Sequence, residues 1–151
     1  MGSNGLINVA VAVVVLVWLL SRQLSTRPVR ERSRLGFVLI VVGVIETVSF
    51  TSKHSLSGRD VSLLALSLAI GVALAAVRGF TLTVWQEGGQ TLRKGGPLTA
   101  VLWIVGIGLH LLIDDVISSG LGSASVLLYF GIVLSVQRLV LLGRVQTAVA
   151  R

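Results

Sequence analysis

The stretch "VSLLALSLAIGVALAAVRGFTLTVWQEGGQTLRKGG", residues 61–96, holds two patterns end to end. From Val61 to Val77 every residue is apolar or small and none is charged. A helix of that kind has no face left for water, so it lies either inside a large core or in a membrane. After Arg78 the character changes. "GFTLTVW-QEGGQ-TLRKGG" nearly alternates about Gly88-Gly89, as two short strands do around a tight turn. Trp85 and Leu92 then share one face of a hairpin-like loop over 80–96, at headgroup level.

Composition decides between core and membrane. The chain is 54% hydrophobic and 13% charged, with a mean hydropathy of +0.93. A soluble domain carries about 25% charged residues. A soluble chain near 150 residues also leaves about a third of its unfolded surface exposed, too much for this composition. The reading is an all-α integral membrane protein, a single membrane domain over 1–151.

Working outward, apolar runs fall at about 6–20, 35–50, 61–77, 98–113 and 121–142. Crossing about 30 Å of hydrocarbon takes roughly 20 helical residues, so the shorter runs borrow their Gly, Ser and Thr flanks. In lipid these runs must be helices, because backbone groups find no other partners. The expectation is a compact five-helix bundle. The first run has no basic residue before it, and "SRQLSTRPVRERSR", 21–34, follows it with five arginines against Glu31. That marks a retained span with a cytoplasmic anchor, not a cleaved signal. Basic residues inside then fix the rest. Arg78, Arg93 and Lys94 lie on the cytoplasmic side, as do Arg138, Arg144 and Arg151, whereas 51–60 and "DDVISSG" lie outside. The N-terminus is outside and the C-terminus inside, in a multi-pass protein of the bacterial inner (plasma) membrane.

The chain has no cysteine, which excludes disulfides, thiolate chemistry and cysteine-ligated metals. Its net charge of +7 sits mostly beside apolar runs, where it anchors helices rather than binding nucleic acid. No metal or cofactor is expected. Pro97 suits the first turn of the fourth helix. In the third helix Ser67, Gly71, Ala75 and Gly79 recur every four residues, beside Ala65, Ala69 and Ala73. Such rows let helices approach closely, and they nominate the third helix as the central one. Gly131 and Ser135 make a shorter row in the fifth.

Four polar residues converge, on this topology, near the outer surface. Glu46 lies about one turn below it in the second helix. His110 ends the fourth helix, Asp114 follows on the same face at i+4, and Asp115 is turned about 100° away. Ionisable groups in a bilayer need a partner or a functional reason. The candidate site is therefore an outward-facing acidic cavity with Glu46, His110, Asp114 and Asp115 as acid/base groups. At the other surface Arg78, Arg138 and the 21–34 arginines serve as anchors or bind anionic headgroups.

The stretch "VRGFTLTVWQEGGQTLRKGGPLTAVLWIVGIGLH", 77–110, resembles a small bacterial membrane family named after CcdC. Arg78, Trp85, Gly89, Lys94-Gly95 and Trp103 match its order of residues, and Arg27-Pro28 gives a looser match. Thr83 stands where the family has a basic residue, and His110 where it often has arginine. The resemblance implies a short multi-helix architecture with a basic first cytoplasmic loop, and an association with cytochrome c maturation but no catalytic residues.

Three functions are compatible with these residues. One is binding of a lipophilic small molecule, or service as a homo-oligomer or membrane-complex subunit among membrane lipids. Another is an acid/base isomerase, cyclase or hydratase acting on an isoprenoid-like or polyketide-like substrate. The third is proton or cation transport as an oligomer.

Overall fold

A computed structural model describes residues 3–30, 32–117 and 120–150. Glu31, Ser118, Ser119 and Arg151, which entered the charge count and the outer loop, lie outside the described residues. The elements are helix α1 (Ser3–Leu24), strand β1 (Arg27–Pro28), helices α2 (Leu35–Lys53) and α3 (Gly58–Thr81), strands β2 (Thr83–Glu87) and β3 (Gln90–Lys94), and helices α4 (Pro97–Val116) and α5 (Leu121–Val149). Helices α2 to α5 are long and apolar enough to cross a membrane, while the apolar run Val13–Leu24 of α1 is shorter. The protein is a multi-pass, all-α membrane protein carrying one small sheet.

The helix boundaries follow local chemistry. At the start of α3 the Ser57 hydroxyl accepts the Asp60 N–H, and the Asp60 carboxylate accepts the Ser57 N–H, each at 3.2 Å. This reciprocal cap satisfies two amides that would otherwise lack partners. Helix α4 starts with Pro97 after Gly96, whose N–H donates to Thr99 Oγ1 at 3.2 Å. Gly120 enters α5 with φ +103°, a conformation that favours glycine.

The hairpin forms as its alternation predicts. Gly88 and Gly89 take φ +56° and +77°, which a two-residue turn of this hand requires. Trp85 pairs directly with Leu92. A third strand joins them: β1 lies antiparallel on β3, with Arg27 opposite Arg93 and Pro28 opposite Leu92, so the sheet order is β1-β3-β2. Val29 N–H donates to Thr91 O at 2.8 Å, and Gly95 N–H to Gln23 O at 2.7 Å, which ties the sheet to the end of α1.

The central helix is α5, not α3 as the small-residue rows suggested. It packs most extensively against α2, next against α3, and also touches α4, while α1 rests on α4. Glycine explains the strongest contact. A side chain at Gly43 would run into the Leu127–Leu128 backbone, and one at Gly131 into Leu39 and Ile40. Two bare helix surfaces therefore meet on α2 and α5. The α3 row is real but faces side chains: Gly71 lies against Tyr129 and Val133, and Gly79 against Val140. Ala75, Trp103, Ile107, Tyr129, Phe130, Val133 and Leu19 form the core.

Candidate functional site

Of the four residues expected to line an acidic cavity, Glu46 and Asp115 are exposed, Asp114 is half-buried and His110 is buried. Helix α2 meets α5 through Gly36, Gly43 and Gly131, and through Thr47, whose hydroxyl lies 3.3 Å from Ala124 O. Glu46, three residues on from Gly43, falls on the flank of that face. Asp115 is exposed too, as its rotation from Asp114 implies.

His110 and Asp114 do share one face of α4 and pack among the helices, while His110 Nε2 and Asp114 Oδ1 find no hydrogen-bond partner among the described residues. His110 is 4% exposed, shares a 2.7 Å hydrogen bond between Nδ1 and Ser67 Oγ, and stacks on Tyr129 with ring centroids 4.4 Å apart. Asp114 is half-buried against Gly122, where any side chain would strike its carboxylate. Among the described residues, no three His, Asp or Glu side chains gather as metal ligands would.

The opposite end of the bundle, where the sheet lies, holds a different arrangement. A cleft of about 390 Å³ opens there between the end of α1, the β1 segment, the start of α2 and the second half of α5. Five arginines line it: Arg22, Arg27, Arg30, Arg93 and Arg138. No acidic side chain stands among the described lining residues. Leu19, Leu35, Phe37, Leu134, Leu139 and Leu141 supply apolar lining to the same cleft.

The fold positions these cations individually. Arg22, in the last turn of α1, lies over the Trp18 ring at 4.7 Å. Arg93 reaches inward from β3 and donates to Gln23 Oε1 at 3.0 Å. Gln137 Nε2 from α5 donates to the same oxygen, also at 3.0 Å. Gln23 and Gln137 are 5% and 3% exposed and form a polar floor. Arg138 donates to Ser33 O at 2.9 Å, holding the loop that roofs the cleft.

The charged side chains among the described lining residues are all arginines. Arg27 and Arg93 face each other across the β1–β3 ladder, where like charges repel. Burial first, then Arg27 and Arg22, push the Arg93 guanidinium below its ordinary pKa. Within the described lining nothing offsets this repulsion. The cleft thus offers fork-shaped donors to an anion and an apolar slot to a chain attached to it.

Sequence reasoning named the 21–34 arginines and Arg138 as a group but missed Arg93 as their partner. The link is the β1–β3 pairing, which joins residues more than sixty positions apart. Arg78 was expected at the surface with them and is instead fully buried. Comparison of the chain with protein-family models, curated proteins and solved structures finds no match.

Proposed function

We propose that this protein binds an anionic amphiphile, a phosphate-bearing lipid, with its headgroup among Arg22, Arg27 and Arg93 and its chain along the apolar wall. The observation that carries this reading is the Arg27–Arg93 opposition in a cleft whose described lining has no carboxylate. Converging cations that repel one another favour an anion between them. A site of mixed polarity beside apolar helices suits a molecule that is charged at one end only.

On this reading the chain crosses the inner membrane five times, with its N-terminus outside and C-terminus inside. The sheet and the cleft then face the cytoplasmic leaflet. Kinship with the CcdC-named family belongs to the same proposal, through Arg78, Trp85, Gly89, Lys94-Gly95 and Trp103. The chain contains no cysteine, so a single cysteine at Gln90 tests the orientation cleanly. It should react with an impermeant thiol reagent only after the membrane is opened, and reaction in intact cells would reverse the topology.

The direct test of binding is release of the protein from its membrane into mild detergent, followed by native mass spectrometry. A phosphate-bearing lipid of net negative charge bound at one copy per chain, and lost in Arg27→Gln/Arg93→Gln, is the expected result. A chain carrying zwitterionic lipid equally well would sink the proposal.

Glu46 favours a second role beside the first, as a subunit of a membrane assembly. It is exposed on α2 among exposed Val41, Val42, Val44, Ile45 and Val48. A carboxyl in that setting is costly against lipid and is relieved by a polar partner on another chain. If so, Glu46→Leu should shift the detergent-solubilised protein to a smaller mass. An unchanged mass would count against the assembly.

A further inference from the structure

Arg78 is 0% exposed, and none of its three guanidinium nitrogens has a hydrogen-bond partner among the described residues. One face of the group lies on the Trp103 ring, 3.9 Å from the centroid. Trp103 is itself 0% exposed, and its indole N–H also lacks a partner. Tyr129, from α5, stands within electrostatic reach of Arg78. The spot is therefore rich in donors and positive, and among the described residues no acceptor bonds the guanidinium. It is also separate from the arginine cleft, since Arg78 lines no part of that cavity.

A guanidinium carries five N–H donors and no acceptor, and it stays charged in proteins. Buried without a counter-charge it is strongly unfavourable, and contact with an aromatic face recovers a fraction of the loss. Buried polar groups left unsatisfied in a folded protein call for water or an ion. We infer that Arg78 and Trp103 form an internal binding site for a small monovalent anion of the halide class.

The surroundings select the ion. Arg78 and Trp103 are both fully buried, so an entering ion sheds its hydration. A single guanidinium and an indole N–H compensate that loss for a weakly hydrated monovalent ion. They do not do so for phosphate or sulfate, whose doubly charged forms hold water far more strongly. This site is thus distinct in chemistry from the lipid phosphate proposed for the cleft, and neither depends on the other.

Trp103 supplies its own readout, because bromide and iodide quench indole fluorescence on contact. The full-length protein with Trp18→Phe and Trp85→Phe leaves Trp103 as the sole tryptophan. Bromide is titrated against fluoride at constant ionic strength in detergent micelles, with neutral acrylamide as the control for general access. Saturating loss of Trp103 emission with bromide is expected, with fluoride and acrylamide having little effect. Arg78→Gln should abolish the saturation. Absence of saturable bromide quenching would overturn the site and leave water as its occupant. Quenching that rises linearly and is matched by acrylamide would overturn it too, as would saturation that survives Arg78→Gln. If Arg78→Gln does not fold, the bromide titration with Arg78 in place decides alone.

Discussion

The two ends of the bundle handle charge in opposite ways. At the end away from the sheet, ionisable groups are tied into packing. Asp60 caps α3 through Ser57, His110 sits between Ser67 and Tyr129, and Asp114 lies on Gly122. At the sheet end, arginines converge on a cleft without a carboxylate in its described lining, and two of them face each other across a strand pair. The Asp60 cap and the His110–Ser67 bond hold helices in place, although His110 Nε2 and Asp114 Oδ1 stay without a partner among the described residues. Cations arranged against one another point to something that arrives from outside.

The first way to break this contrast is at Gly122. A side chain there collides with the Asp114 carboxylate, so Gly122→Val should destabilise the protein by about 3 kcal/mol, at the severe end of overpacking. Gly143, where a side chain meets open space, should accept alanine with little change. A normal melting temperature for Gly122→Val would mean that the far end is loosely packed.

The next effect is on binding. Arg27→Gln/Arg93→Gln should weaken a phosphate-bearing lipid by about 100-fold, two charge-assisted contacts at about 1.5 kcal/mol each. The folded state should hold or gain stability, because a repulsion is removed. Measured binding in detergent and a thermal melt check the two halves together. Binding should also weaken as salt is raised.

Smaller still is Ser67→Ala, which leaves buried His110 Nδ1 without its partner. It should cost about 1–2 kcal/mol in stability while lipid binding stays at the wild-type level. A change in binding would show that the two ends are coupled. The smallest effect is Glu46→Gln, which should leave monomer stability and lipid binding unchanged. Loss of lipid binding in that variant would show that Glu46 bears on the cleft from outside its lining.

Those expectations also mark what the residues reveal by themselves. The apolar runs and the Gly88-Gly89 alternation are strong local signals, and the helices and the hairpin follow from them. The third strand has no such signal. Arg27-Pro28 becomes a strand only because β3 offers it an edge, and that pairing alone brings Arg93 to the cleft. The side on which Glu46 lies is hidden for a different reason. Helix α2 is apolar around its whole circumference, so periodicity cannot say which side meets a neighbour; Gly36 and Gly43 decide it by fitting α5. Arg78 looked like a surface anchor because an apolar run ends there. The helix continues to Thr81, the sheet folds back beyond it, and Arg144 from α5 donates to Gly79 O and Leu82 O at 2.7 and 2.8 Å.

The central claim is that the cleft reads a lipid's negative charge. The most direct measurement is a binding titration of two lipids that share their acyl chains, one with a phosphomonoester headgroup and one with phosphocholine, in the same neutral detergent. Preference for the phosphomonoester, erased by Arg27→Gln/Arg93→Gln, is the predicted result. Equal affinity for the two headgroups, or a preference that survives the double substitution, would contradict it.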